Sequence, residues 1–227
     1  NRVVDARIDA KNPRTASRQI PRGQIGKKET LVLVAACFLV MVSSASRLNL
    51  LCLLLSPLAL FLMTIYSYTK RFTWTCHLVL GITCACAPVG AWLAVTGKFS
   101  LIPLFFGAAN CLWTAGFDII YGSQDYEFDK ANGLHSIPVQ FGVRGGLWIS
   151  TLFHVAALLC LCIAGVLLYP QFGVLYGTGL GIIAVLMVIQ HRLVSPDHLE
   201  NVNIASYSIS QITSIVLLVF GTLDVYL

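Results

Sequence analysis

Charged side chains are scarce in this 227-residue chain: Asp, Glu, Lys and Arg together make up 11% of it, and hydrophobic residues make up 57%. An average soluble domain carries about 25% charged residues. The scarcity excludes an ordinary water-soluble globular protein and indicates an integral membrane protein. The chain also lacks a signal-like opening and begins at Asn1 without a methionine. We therefore expect residues 1–227 to be a single transmembrane domain that is N-terminally truncated.

Sustained alternation of polar and apolar residues is missing as well, which favours helices over a transmembrane β-barrel. Crossing the ~30 Å hydrocarbon layer takes roughly 20 helical residues. The apolar runs predict an all-α, multi-pass bundle with seven spans, at residues 29–46, 48–66, 75–96, 99–117, 147–169, 172–190 and 204–226. The eight cysteines lie in or beside these spans. Their i,i+2 pairs do not share a helix face, so we interpret them as small hydrophobic residues.

Positive charge is nearly absent from one side of the predicted membrane. With seven spans, the polar segments 1–28, 67–74, 118–146 and 191–203 share the other side and hold 13 of the 15 Lys and Arg residues. The positive-inside rule predicts that these segments face the cytoplasm of a bacterial inner membrane, or the matrix of a mitochondrial inner membrane.

The few acidic residues are concentrated in two of these segments. Asn1, Asp5 and Asp9 are spaced four residues apart, so a helix would align them on one face. A second stripe follows the spacing i, i+4, i+7, i+11 and comprises Asp118, Gly122, Asp125 and Asp129. Glu127 falls off this stripe, and we expect it to be solvated. Carboxylates stacked on one face repel each other unless a cation lies between them.

Hard oxygen ligands in two clusters on one side suit Mg²⁺ that bridges to a phosphorylated substrate. Two basic pairs, Arg14 with Arg18 and Lys70 with Arg71, lie in the same set of segments. Such side chains are the usual partners of phosphate oxygens. A charged loop between membrane helices is often merely solvated, and its basic residues often serve only topology. Two acidic stripes together with two basic pairs favour a site.

These residues resemble the UbiA superfamily of intramembrane aromatic prenyltransferases. Its first motif, N-D-x-x-D-x-x-x-D followed by R-T-x-x-R-P, is matched by Asn1, Asp5, Asp9, Arg14, Thr15 and Arg18. Its second motif, D-x-x-Y-x-x-x-D-x-x-x-D, is matched by Asp118, Tyr121, Asp125 and Asp129. A third element, Y-P-x-x-K-R, is matched by Tyr66, Lys70 and Arg71. The chain departs from these patterns at three positions, Arg2, Ser67 and Gln19, where the family has Asp, Pro and Pro.

The resemblance implies a fold and a reaction. Family members have nine helices, so the seven spans here would be helices three to nine. The motifs are most similar to the 4-hydroxybenzoate polyprenyltransferase-like group. That similarity implies Mg²⁺-dependent transfer of a polyprenyl group from polyprenyl diphosphate to an aromatic acid in ubiquinone biosynthesis. Prenylation of a naphthoate in menaquinone biosynthesis is the alternative acceptor chemistry.

The resemblance also implies roles for thirteen residues. The metal ligands would be Asn1, Asp5, Asp9, Asp125 and Asp129. Catalysis would involve Asp118, Tyr121, Arg18 and Lys70, with Asp118 as the candidate base. Substrates would be bound by Arg14, Arg18, Tyr66, Lys70, Arg71 and His135. The apolar bundle would offer a lipid-accessible tunnel for the prenyl tail, with Phe105, Phe106, Trp113 and Phe117 as candidates for cation–π contact. The remaining histidines His77, His154 and His191 are interpreted as structural or interfacial.

Two other classes fit less well. A transporter with acidic loops would place ionisable groups near the bilayer midplane, whereas His154 is the one Asp, Glu, Lys, Arg or His residue that lies away from the ends of these spans. CDP-alcohol phosphotransferases keep their aspartates in one motif, whereas this chain divides them between two distant segments. The expected partners are the two substrates and the lipid bilayer, and we expect no nucleic-acid partner.

Overall fold

The computed structural model describes residues 1–227 and is almost entirely helical. Seven helices are long and apolar enough to cross a membrane, which confirms the predicted all-α transmembrane bundle. The helices are α1 (Ala6–Asp9), α2 (Lys27–Leu48), α3 (Leu50–Thr69), α4 (Cys76–Thr96), α5 (Ile102–Gly122), α6 (Tyr126–Ala131), α7 (Ile137–Leu167), α8 (Val174–Arg192) and α9 (Ile209–Tyr226). A 3₁₀ turn (Ser123–Asp125) precedes α6, and a π-helical turn (Ile204–Ser208) leads into α9.

Local sequence signals set several helix ends. Asn49 Oδ1 accepts a hydrogen bond from the Cys52 N–H at 2.9 Å and caps α3. Ser136 Oγ accepts one from the Val139 N–H at 3.2 Å and caps α7. Both side chains satisfy an N–H group that has no partner within the helix. Asn49 is the one residue between α2 and α3, so the same residue separates the two helices and caps the start of α3.

The two spans that flank the polar segment 118–146 extend further into it than the sequence predicts. The fourth span was expected to end at 117, but α5 continues to Gly122, and helical turns continue to Ala131. The fifth span was expected to begin at 147, but α7 begins at Ile137 and bends at Gly142, where φ is 75°. Both span ends were placed wrongly. Helical structure continues past 117 because Asp118, Asp125 and Asp129 are paired with side chains of the protein, and α7 begins early because Ser136 caps it.

The α5 helix lies at the centre of the bundle, between α4 and α7. Ala115 and Ile119 on α5 are fully buried. A Cβ at Gly116 would lie 2.5 Å from His154 Nε2, so α7 approaches α5 closely only because this residue is glycine. A hydrogen bond also joins the two helices here: Ser150 Oγ on α7 donates to the Gly116 carbonyl on α5 at 2.7 Å. The second acidic stripe thus starts on this tightly packed helix, with Asp118, and continues through the 3₁₀ turn to Asp129 on α6.

Candidate active site

One cavity of about 410 Å³ lies at the end of the bundle where α3, α4 and α5 meet the N-terminal segment. Twelve of the thirteen predicted site residues line it: Asn1, Asp5, Asp9, Arg14, Arg18, Tyr66, Lys70, Arg71, Asp118, Tyr121, Asp125 and Asp129. The two acidic stripes therefore face a common space, although more than a hundred residues separate them. Glu127 is exposed and does not line the cavity, as its position off the stripe predicts.

Arg14 joins the N-terminal segment to the second stripe. Its Nε donates to Asp125 Oδ1 at 2.9 Å, and its Nη2 donates to Asp125 Oδ2, so the pair is bidentate. Its Nη1 donates to Tyr121 Oη at 2.5 Å, and the guanidinium lies 4.8 Å from the centre of the Tyr121 ring. Burial alone would lower the pKa of Arg14, but its hydrogen bonds and charge contact with Asp125 outweigh burial and raise it.

Asn12 completes this contact and was not predicted from the sequence. Its Nδ2 donates to Asp125 Oδ1 at 2.8 Å, and its Oδ1 accepts from the Arg14 N–H at 3.0 Å. The side chain thus folds back on its own chain while it holds a carboxylate on another helix. An Asn-Pro pair is a turn signal, so the NPR sequence could have indicated the turn but not its distant partner.

Two further ion pairs lie on the N-terminal side. Arg18 Nη1 bonds both carboxylate oxygens of Asp9, at 2.8 and 2.9 Å. Thr15 Oγ1 donates to the Asp9 carbonyl at 3.0 Å and fixes the turn between them. Arg71 Nη2 donates to Asp5 Oδ1 at 3.0 Å. The RTASR sequence therefore folds back on the acidic turn that precedes it.

Lys70 pairs with Asp129, which is the most deeply buried carboxylate of the cavity. Lys70 Nζ lies 2.7 Å from Asp129 Oδ2, and the Asp129 side chain is 1% exposed. Burial works to lower the pKa of Lys70, but the charge of Asp129 outweighs it and raises that pKa. His135, the thirteenth predicted site residue, is exposed and does not line the cavity. Its backbone N–H instead donates to the Lys70 carbonyl at 2.7 Å, so it helps to place the lysine.

Asp118 has a different kind of partner from the other four aspartates. Its Oδ2 lies 2.7 Å from His77 Nδ1, and His77 also lines the cavity. From the sequence, His77 is interpreted as structural or interfacial, and no local pattern links it to Asp118, which lies 41 residues later. The interpretation misses this contact. The structure adds this histidine to the site.

Comparison with known proteins identifies the family. A sequence profile of the UbiA prenyltransferase family matches residues 1–212. The chain belongs to the UbiA prenyltransferase family. This UbiA-family chain is 33% identical over 180 residues to the 4-hydroxybenzoate octaprenyltransferase of Shewanella sp. strain W3-18-1, a match that covers 79% of the chain but 62% of the relative. The corresponding protein of Shewanella halifaxensis strain HAW-EB4 is 32% identical over 194 residues, covering 86% and 67%.

Solved structures agree on the fold of this UbiA-family chain. The apo structure of a UbiA homologue from Aeropyrum pernix K1 is 32% identical, with a TM-score of 0.87, and the match covers 98% of this chain and 82% of that one. A structure of digeranylgeranylglyceryl phosphate synthase, 22% identical with a TM-score of 0.73, covers 100% and 79% and shares the fold. The arrangement of the seven spans is therefore that of known UbiA proteins.

The oxygen side chains of this UbiA-family site suit magnesium only in part. Asn1, Asp5, Asp9, Asp125 and Asp129 line one cavity and offer the hard ligands that Mg²⁺ takes. No three acidic, histidine or cysteine side chains form a ready-made metal cluster. Each of the four carboxylates contacts a cationic side chain. Mg²⁺ commonly binds through one or two carboxylates together with substrate phosphates. The donor set therefore fits an ion that arrives with a phosphorylated ligand.

The bundle also encloses apolar space away from the ion pairs. A second cavity of about 230 Å³ is lined mainly by apolar side chains of α4, α5, α7 and α9. Phe106 and Trp113, two of the four aromatics predicted to face a prenyl cation, line this second cavity. Phe117 instead packs against Tyr207 of the π-helical turn, with ring centres 6.4 Å apart.

Proposed function

We propose that the protein transfers a polyprenyl group from a polyprenyl diphosphate to an aromatic acid of the 4-hydroxybenzoate type. The observation that carries the proposal is the single cavity, at the C-terminal end of α5, that is lined by both acidic stripes and by five Lys and Arg side chains. Family membership and the names of the curated relatives support the reaction type and the quinone pathway. We further propose that this end of the bundle faces the cytoplasm or matrix, which the charge bias favours.

The ionic side chains supply what a diphosphate leaving group needs. When bound, Mg²⁺ would act as a Lewis acid and template for the diphosphate, held by Asn1, Asp5 and Asp9 on one side and by Asp125 and Asp129 on the other. Arg18, Lys70 and Arg71 lie beside these carboxylates. They would neutralise the charge that develops on the diphosphate as its C–O bond breaks.

The second half of the reaction takes place at Asp118 and Tyr121. A ring carbon of the aromatic acid forms the new C–C bond with the allylic cation. The electron pair of the ring C–H bond then returns to the ring, and the proton goes to Asp118. The apolar surroundings exclude water, which would otherwise capture the cation.

The test is prenyl transfer by the full chain in lipid nanodiscs with Mg²⁺, labelled polyprenyl diphosphate and a panel of aromatic acids. We expect labelled product with a hydroxybenzoate and no product after chelation. Asp5→Ala and Asp125→Ala should each lower turnover roughly 100-fold or more, whereas the exposed Glu127→Gln should leave it unchanged. Transfer to a naphthoate alone would redirect the proposal to menaquinone biosynthesis. If the folded protein transfers the prenyl group to no acceptor, the proposed reaction is wrong, and a transport function becomes the alternative to test.

A further inference from the structure

His77 is a buried side chain in the active-site cavity to which neither the sequence motifs nor the proposed reaction gives a role. It lies in the first turn of α4 and is 3% exposed. Its Nδ1 lies 2.7 Å from Asp118 Oδ2, while its Nε2 is buried without a hydrogen-bond partner. The contact with Asp118 is therefore the only polar anchor of the ring.

The pairing sets Asp118 apart from the other aspartates of the cavity. Four of the five form ion pairs with Arg or Lys, and Asp118 alone contacts an imidazole. The Asp118 side chain is 27% exposed, whereas that of His77 is buried. His77 thus supports the carboxylate from the protein side, and Asp118 Oδ1 has no hydrogen-bond partner within the protein.

Gly122 provides the room for this contact. It lies one helical turn after Asp118 on α5, and a Cβ at this position would lie 3.2 Å from His77 Cε1. Such a separation is tighter than an ordinary van der Waals contact. The glycine therefore lets the imidazole lie close against α5, beside the carboxylate that it holds.

We propose that His77 is the positioning residue for Asp118. It donates its Nδ1–H to Oδ2 and holds the carboxylate so that Oδ1 faces the cavity and accepts the proton that the aromatic ring loses. The proposal rests on the proposed function for the identity of that proton. Orientation matters because a misplacement of about 1 Å can cost roughly 100-fold in rate.

Two substitutions separate positioning from packing. His77→Leu keeps the bulk of the ring and removes the donor, and we expect kcat to fall about 10- to 100-fold. The KM for polyprenyl diphosphate should change less than about twofold, because the side chains proposed to bind the diphosphate are unchanged. His77→Asn places an amide N–H near the position of Nδ1, so it should recover kcat to within about fivefold of wild type. His198→Asn, at an exposed histidine outside the cavity, is the matched control and should have no effect.

An isotope effect shows whether the lost step is proton removal. With an acceptor deuterated at the prenylated carbon, His77→Leu should give a larger kinetic isotope effect than wild type, since loss of the ring proton becomes rate-limiting. In an Asp118→Asn background, His77→Leu should cause no further loss of kcat. Unchanged kcat in His77→Leu, additive losses in the double variant, or no recovery in His77→Asn would each overturn the proposal.

A spectroscopic measurement keeps this test independent of turnover. In nanodisc-bound full chain labelled with ¹⁵N-histidine, Asp118→Asn should shift the His77 Nδ1 resonance and leave those of the other four histidines in place. An unmoved resonance would refute the pair even if His77→Leu fails to fold. If wild type forms no prenylated product while the resonance shifts as expected, the proposed reaction is wrong and the His77–Asp118 pair stands.

Discussion

Replacement of Arg14 by lysine should loosen the N-terminal segment from the bundle. The guanidinium donates three hydrogen bonds, two to Asp125 and one to Tyr121, and a lysine ammonium can replace one of them. A hydrogen bond to a charged group contributes about 1.5–3 kcal/mol, which partial exposure of Arg14 reduces to about 1 kcal/mol. Two lost bonds then cost about 2 kcal/mol in the free energy of unfolding. For a chain of this size, that corresponds to a fall of about 4–8 °C in the thermal midpoint.

The assay is thermal unfolding of the nanodisc-bound chain, followed by tryptophan fluorescence. Arg22→Lys is the matched control, because the Arg22 side chain is exposed and makes no ion pair. A double-mutant cycle with Arg14→Met and Asp125→Asn should show a coupling free energy of about 2 kcal/mol. A midpoint shift in Arg14→Lys no larger than that of the control, or additive effects in the cycle, would refute this reasoning.

Three other outcomes follow from the same geometry. Gly116→Ala should lower the free energy of unfolding by about 1–3 kcal/mol, as measured by thermal unfolding. Gly90→Ala, where a Cβ meets no atom within 4 Å, should not. Because the pKa of Lys70 is raised above 10.5, its ion pair should stabilise the fold at neutral pH and fail only as the pH rises past that value. The wild-type and Lys70→Met midpoints should therefore differ at pH 7 and converge in alkali. Chelation of metal should leave the midpoint of ligand-free protein unchanged, whereas a clear fall would show that an ion holds the carboxylates apart.

The acidic stripes could be predicted because they are local. Asp118, Asp125 and Asp129 follow helical spacing, and the structure keeps this segment helical, so counting along the sequence correctly placed them on one face and Glu127 off it. Asn1 and Asp5 likewise follow helical spacing, since the Asp5 N–H donates to the Asn1 carbonyl at 2.9 Å. A spacing of three or four residues shows which side chains share a helix face, and a few neighbouring residues are enough to reveal it.

The partners of those carboxylates could not be predicted, because they depend on tertiary packing. Asn12 reaches Asp125 across 113 residues, and Arg14 reaches it across 111. His77 was assigned to structure or interface because a single histidine in an apolar helix gives no sign of what lies beside it. The predicted fourth span ends at 117, five residues short of Gly122 at the end of α5. Hydropathy alone ends a span at the first carboxylate, because it cannot show that the carboxylate has a partner inside the protein.

The paired charges change how ligand binding is understood at this site. The sequence predicts that Arg14, Arg18, Lys70 and Arg71 bind phosphate oxygens, and in the structure each of them contacts an aspartate. An anion alone would have to displace carboxylates from these cations, and a divalent cation alone would have to displace cations from the carboxylates. A diphosphate that arrives with its metal supplies a new partner of the right sign for both groups at once. Because a buried charge left without a partner is costly, the cavity should favour the metal–diphosphate complex over either component.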